Sequence, residues 1–209
     1  MTCVSSEFGR ILKISVFGQS HGTAIGVVGD GLPAGEAVDL EELQRFLDRR
    51  RPGTGPLSTA RRETDAPEFL SGLENGKTCG APLCAVIRNA DQRSRDYGDL
   101  LDKPRPGHAD YTAWAKWKGR ADMRGGGHFS GRLTAPLCGA GGIARQLLAR
   151  RGVFVGAHLA AVAGIPDSPF PPEPSTALFE EVAAKPFPVL DDQAGERMQA
   201  AILAAKGAL

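Results

Sequence analysis

Glycine and proline punctuate this chain so densely that only short regular elements fit between them. There are 27 glycines and 15 prolines among 209 residues. In a helix interior a glycine costs about 1 kcal/mol relative to alanine, and a proline about 3. Residues 10–17 and 24–30 have strand length and strand composition, with a turn over 18–22 between them. Residues 57–63, 68–73, 83–89 and 153–164 read as further strands, with turns at Asp65–Pro67 and Asn75–Gly76.

Helical patterns alternate with these strands. Asp39 is a good N-cap, Glu42 completes a capping-box pattern, and Leu40, Leu43, Phe46 and Leu47 form the apolar stripe. Pro52 and Gly53 end that helix. Residues 111–118 predict a short helix whose Trp114 and Trp117 belong in a core. Residues 133–150 predict a longer one, with Pro136 in its first turn, where proline is tolerated. Gly139, Gly141 and Gly142 weaken it, so a close helix contact is expected there. A Pro-rich connection follows over 166–174, and a helical pattern runs from 191 to the last residue. The mixture predicts an α+β fold, with residues 1–209 forming a single domain.

Net charge is +1, but it is unevenly distributed. Residues 45–132 hold 17 Lys+Arg against 11 Asp+Glu, and 13 of those cations are Arg. Arg matches carboxylate and phosphate in a bidentate geometry, so a polyanionic small ligand is expected. A nucleic-acid-binding domain is the competing reading. The near-neutral total and 6% aromatic content speak against it. No apolar run is long enough for a transmembrane helix, and residues 1–10 lack a signal-peptide pattern. Cys3, Cys79, Cys84 and Cys138 show neither disulfide nor zinc spacing, and isolated thiols in a cytoplasmic protein are expected.

Four segments could carry chemistry. In Gly18-Gln19-Ser20-His21-Gly22 a histidine sits in a glycine-flanked turn, placed either for acid-base work or for a bond to its own loop. Asp48-Arg49-Arg50-Arg51-Pro52-Gly53-Thr54, with Arg61-Arg62 beyond, is either a helix C-terminus stabilised by its dipole or an anion site. Arg105-Pro106-Gly107-His108-Ala109-Asp110 puts a histidine just before a helix, and the alternative is a solvated turn. Arg124-Gly125-Gly126-Gly127-His128-Phe129-Ser130-Gly131-Arg132 is a glycine-rich loop entering a helix, but neither a Walker A motif nor a dinucleotide fingerprint. His158, in an apolar stretch, is expected to pack without a site role.

Taken in order, and with Asp91-Gln92-Arg93-Ser94 between the second and third, these segments resemble chorismate synthase over residues 8–164. The resemblance implies a β-α-β sandwich of antiparallel sheets around central helices, assembled as a homotetramer. It implies a lyase of the shikimate pathway, serving aromatic amino acid biosynthesis. The substrate would be 5-enolpyruvylshikimate 3-phosphate, converted to chorismate and phosphate by trans-1,4 elimination with reduced FMN and no net redox change. By motif match, His21 would protonate the departing phosphate and His108 the reduced flavin. Arg50 would fall on a residue assigned to NADP binding, with an external flavin reductase as the other source of electrons. Arg49, Arg51 and Arg105 would bind substrate anions. His128, Phe129 and Ser130 align with a flavin-contacting tripeptide that is often Arg-Ser-Ser, so only the serine is kept. A second nicotinamide-contacting Arg of some members falls on Pro56. Family members continue well beyond the length seen here. The chain is therefore expected to be an N-terminal part, either active on its own or an inactive fragment of the enzyme.

Overall fold

The computed structural model describes residues 6–53, 55, 57–58, 61–91 and 103–207. Pro56 and Gln92-Arg93-Ser94 lie outside them. The chain divides into two compact units, Met1–Gly53 with Ala60–Leu147, and Thr54–Thr59 with Leu148–Leu209.

The first unit is built on a five-stranded antiparallel sheet. Its strands are β1 (Glu7–Phe8), β2 (Lys13–Gly18), β3 (Ala24–Asp30), β4 (Glu68–Ser71) and β7 (Leu83–Arg88), in the order β1-β2-β3-β7-β4. β2 and β3 form a hairpin in register from Lys13↔Asp30 to Gly18↔Ile25. The tip of that hairpin is the Gly-Gln-Ser-His-Gly turn. β5 (Leu73–Glu74) and β6 (Lys77–Thr78) form a small separate hairpin. Its Asn75-Gly76 turn has both residues at positive φ, as a tight two-residue turn requires.

One face of the sheet is apolar, as period-2 alternation dictates. Ile14, Val27, Leu83 and Ala85 pack with Leu43 and Leu47 of α1 (Leu40–Asp48) and with Ile143 and Leu147 of α3 (Thr134–Ala149). Ile25 and Ile87, further along the same face, meet Leu133 and Ala135 at the start of α3. Thus α3 lies along the sheet, and its N-terminal end is delivered beside the β2–β3 turn. The first unit supplies a five-stranded antiparallel sheet with its helix layer, in agreement with the expected α+β class.

Asp39 caps α1, accepting from the Glu42 backbone N–H at 2.8 Å. The reciprocal half of the capping box is absent. The Glu42 carboxylate instead pairs with Arg145 at 2.7 Å, and the Asp39 N–H donates to buried Gln146 on α3. Gln146 also donates to the Asp39 carbonyl, so one amide ties the start of α1 to α3.

Of the three α3 glycines, only Gly142 is at a close contact. A Cβ there would lie 2.6 Å from Leu43 Cδ1 and 3.1 Å from Phe46 Cδ1, whereas nothing lies within 4 Å of Gly139 or Gly141. Gly142→Ala is therefore expected to lose about 1–3 kcal/mol to overpacking, less a propensity gain of up to about 1. Gly141→Ala, on the exposed side, should gain that propensity alone. Denaturant unfolding of the pair checks the difference in sign.

Two expected strands do not form over their expected lengths among the described residues. Residues 153–160 form no strand although their sequence favours one, and Val153, Phe154 and Val155 are largely exposed. Only β8 (Ala161–Val162) forms in this stretch. Strand propensity needs a neighbouring strand to bond, and among the described residues β8 pairs only with the two-residue β9 (Ile165–Pro166). The described part of 57–63 is likewise irregular, with Thr59 and Ala60 outside the described residues.

In the second unit, Met198 and Ala194 of α5 (Asp192–Gly207) pack with Val189, Leu159, Val162, Ile165 and Phe187. The helix α4 (Thr176–Ala184), capped by Ser175, was not foreseen from the sequence. His158 is a packing residue as expected. It bonds Asp167 at 2.8 Å, and the Leu190 and Asp191 N–H groups donate to the same carboxylate. Burial alone would raise the Asp167 pKa, but these donors outweigh it and hold it low.

Candidate active site

The β2–β3 turn is held rigid from below. Ser20 and His21 are buried in it. Asn89, just past β7, donates through its amide to the Gln19 carbonyl at 3.2 Å and the Gly22 carbonyl at 2.7 Å. Arg61 donates to Ser20 Oγ at 3.1 Å and to the Ser20 carbonyl at 3.2 Å. The Asn89 carbonyl oxygen accepts from both Arg61 and Arg132.

Behind this turn lies a buried ion network. Asp65, with its side chain fully buried, accepts from Arg50 at 2.5 Å and from Arg132. Glu63, equally hidden, pairs with Arg61 at 2.7 Å and accepts from the Ala90 N–H at 3.0 Å. Burial would raise the Glu63 pKa; the Ala90 N–H, Arg61, Arg132 and the Asp91 N–H together depress it below 4.5. Three guanidiniums against two carboxylates leave the network with an excess positive charge.

That cationic setting acts on His21. Its pKa is lowered from 6.5, first by burial and then by Arg61 and Arg124, against the opposing pull of Asp122. In the unliganded protein the ring is therefore mostly neutral at pH 7. The linkage has a definite sign. Protonation is harder in the folded than in the unfolded state, so the His21 contribution to stability is present above pH 6.5 and declines as pH falls below it. Asp122 is itself held low by the bidentate Arg124 guanidinium, with contacts of 2.8 and 2.9 Å.

His108 reaches the same place from another direction. It precedes α2 (Asp110–Trp117), whose first residue, Asp110, is 1% exposed. Asp110 Oδ1 lies 2.6 Å from His108 Nδ1. Arg105 binds the same carboxylate through Nε at 2.7 Å, Nη2 at 3.0 Å and its backbone N–H at 3.1 Å. These contacts, the side-chain bond from Arg105 foremost, drive the Asp110 pKa well below the usual carboxylate range.

The glycine-rich loop is where the two histidines meet. Gly125 and Gly126 both have positive φ, 58° and 86°. A Cβ on Gly125 would stand 2.2 Å from His21 Cε1, and a Cβ on Gly126 would stand 2.7 Å from His108 Nε2. Adjacent residues thus seat the two imidazoles, a function the sequence did not disclose. The loop is anchored by the Ser20 N–H donating to the Gly127 carbonyl at 3.0 Å. Gly125→Ala is expected to displace His21 and to lower turnover of the complete protein by about 10²-fold, since misplacement of about 1 Å carries that cost. Steady-state kinetics with circular dichroism separates this from unfolding.

A cleft of about 720 Å³ opens beside the loop. Phe17, Trp117, Met123 and Phe129 give it apolar walls; Gln19, Asp110, Arg120 and Gly126 also line it. Trp117 and Phe129 pack with ring centroids 5.2 Å apart. Trp117 therefore lines the cleft, and Trp114 is 49% exposed; neither is the core residue the sequence led us to expect.

Among the aligned tripeptide, Phe129 presents half-exposed aromatic surface to this cleft. His128 is bonded at both ring nitrogens, Nδ1 to the Gly18 carbonyl and Nε2 to Ser6 Oγ, each at 2.9 Å. Ser130 caps the 3₁₀ turn Gly131–Leu133 by accepting from the Arg132 N–H. Arg50 belongs to the ion network. Arg51 pairs with Asp48 at 3.3 Å, and Arg49 lies over the Phe46 ring at 6.0 Å, both at the C-terminal end of α1. Sequence reasoning missed Glu63, Asp65 and Asn89 as site residues and named Arg132 only as the end of the glycine-rich segment. The only local signal was the acidic-basic alternation Arg61-Arg62-Glu63-Thr64-Asp65.

Comparison with known proteins gives a consistent result. A family model described as chorismate synthase matches residues 12–208. A chorismate synthase from Lancefieldella parvula is 44% identical over 209 residues, covering 94% of this chain and 55% of the relative. One from Polaromonas is 48% identical over 188 residues, covering 89% and 50%. One from Aeropyrum pernix is 43% identical over 193 residues, covering 92% and 50%. The chain thus spans about half the length of these curated relatives. A solved structure, "Crystal Structure of Chorismate Synthase", superposes with a TM-score of 0.67 at 23% identity, over 95% of this chain and 54% of that one.

Proposed function

The chain belongs to the chorismate synthase family, and from that premise we propose that the protein it forms part of eliminates phosphate from 5-enolpyruvylshikimate 3-phosphate to give chorismate. The observation that carries this reading is the convergence of His21 and His108 on Gly125 and Gly126, beside a cationic network and an aromatic cleft. The reaction breaks one C–O and one C–H bond at the ring, shifts the existing ring double bond, and leaves the ring with one more C=C bond than before. No electrons are consumed overall.

The cleft has residues that fit a flat tricyclic ring. Its walls are Phe17, Trp117 and Phe129, with Met123 as a polarisable filler. Reduced FMN held there would supply an electron transiently to the substrate. His108 would hold the proton at the flavin side. His21 would give a proton to the departing phosphate. Its lowered pKa suits this order of events: an arriving phosphate dianion offsets the field of Arg61 and Arg124, so the ring takes up a proton as the substrate binds.

Arg105 would bind a substrate anion beside His108. Arg50 is engaged by Asp65, which supports an outside reductase rather than an NADPH site in this chain as the source of reduced flavin. Family membership further supports a homotetramer in the cytoplasm. Among the described residues no helix is long and apolar enough to cross a membrane.

The test is anaerobic phosphate release by the complete protein from 5-enolpyruvylshikimate 3-phosphate. Release that requires reduced FMN, with no accumulation of oxidised flavin, is expected. Release independent of flavin, or none at all, would overturn the proposal. The same assay on the 209-residue chain separates a self-sufficient catalytic part from an inactive one.

A further inference from the structure

Asn89, the residue after β7, joins two parts of the site through one side chain. Its amide nitrogen donates to the carbonyls of Gln19 and Gly22, at 3.2 and 2.7 Å. Its amide oxygen accepts from Arg61 Nη2 at 3.2 Å and from Arg132 Nε at 3.0 Å. The partners dictate which way the amide faces. Carbonyls only accept and guanidiniums only donate, so the nitrogen must point to the turn and the oxygen to the arginines. Both N–H groups and both oxygen lone pairs then have partners. The two bonded carbonyls bracket Ser20 and His21. The Asn89 backbone N–H also donates to the Thr23 carbonyl at 3.1 Å, which carries the β3–β7 ladder one residue further and fixes the base of the side chain. Arg61, held by the amide oxygen, reaches Ser20 in the same turn and is one of the cations acting on His21.

We propose that Asn89 is a positioning residue for His21: its amide locks the histidine-bearing turn to Arg61 and Arg132, so that the ring and the cations keep one mutual geometry. The effect on turnover rests on the function proposed above. The locking of the turn does not, because it is a property of this chain alone.

The substitution Asn89→Asp separates the two halves of this lock. An aspartate has the same shape but only acceptors. It keeps the contacts to Arg61 and Arg132 and strengthens them with its charge. It sets an oxygen against the Gln19 and Gly22 carbonyls, and both of those bonds are lost. The arginines stay held while the turn is released. A role confined to holding the arginines would survive in this variant; a role in positioning the turn would not.

Amide hydrogen exchange followed by NMR on this chain reads the turn directly. The Ser20 N–H is bonded to the Gly127 carbonyl and the Gly22 N–H to the Gln19 carbonyl. In Asn89→Asp, with its fold checked by circular dichroism, both are expected to exchange about 10-fold faster or more, while amides of the β3–β7 ladder keep their rates. In the complete protein, kcat at saturating substrate is expected to fall about 10²-fold in Asn89→Asp and as far in Asn89→Ala, the cost of a misplacement of about 1 Å. Wild-type exchange at Ser20 and Gly22, equal acceleration throughout the ladder, or a wild-type kcat in folded Asn89→Asp would each overturn the proposal. If the variant does not fold, the wild type decides alone: the side-chain N–H₂ of Asn89 is expected to exchange about 10-fold slower than that of a solvated asparagine, and an equal rate would overturn the lock. If the exchange rates are as predicted but the wild type releases no phosphate, the proposed function fails and the lock stands.

Discussion

In the complete protein, His21→Ala and His108→Ala are each expected to lose about 10²–10⁴ in turnover, the range that a positioned general acid contributes. Both variants should fold. His21 is mostly neutral beside cations that disfavour its charge, so removing the ring deletes no ion pair and leaves a small cavity against Gly125. His108 is partly exposed, and Arg105 remains to satisfy Asp110. The two rings rest on neighbouring residues and are read as acting on one substrate, so the double variant should lose much less than the product of the single losses. Non-additivity of this kind marks groups that work as a unit. Turnover near wild type in either single variant, from folded protein, would remove the histidines from the mechanism.

The largest effect on stability is expected at Asp65. Its carboxylate is fully buried and holds both Arg50 and Arg132. Asp65→Ala would leave three guanidiniums with Glu63 as the remaining carboxylate partner of the network. Breaking a buried ion pair from one side costs about 3–5 kcal/mol. Against a total folding free energy of about 5–15 kcal/mol, that brings the domain to the edge of unfolding. Asp65 also sits at φ 49°, a conformation asparagine tolerates. Asp65→Asn therefore removes the charge without backbone strain, and should lose less than the alanine variant. Urea midpoints of the two variants and the wild type check the order. Glu63 adds an acid limit. Its depressed pKa supplies stability that is complete above pH 4.5 and is lost as pH falls through the lower folded value.

Much of the scaffold was legible because its signals are local. Asp39 capped its helix, Pro136 entered the first turn of α3, and Asn75-Gly76 turned its hairpin. The failures were of another kind. Residues 153–160 look like a strand in isolation, but a strand exists only beside another. The Glu42 half of the capping box was taken over by Arg145 and Gln146, more than a hundred residues away. The same asymmetry holds at the site. His21 and His108 announced themselves by sitting in glycine-bounded turns. Glu63, Asp65, Asn89 and Arg132 did not, because each matters only through partners distant in sequence. The triple glycine was visible as a loop, yet its purpose, to leave room for two imidazoles, depends on where those imidazoles arrive.

The account turns on His21 being neutral before the substrate arrives and protonated once the phosphate is in place. Calorimetric binding of 5-enolpyruvylshikimate 3-phosphate to the complete protein without flavin, at pH 7 in buffers of different ionisation enthalpy, counts the protons taken up. Wild-type protein is expected to take up close to one proton more than His21→Ala. Equal proton uptake by the two, with substrate bound to both, would contradict the assignment of His21 as the acid that meets the departing phosphate.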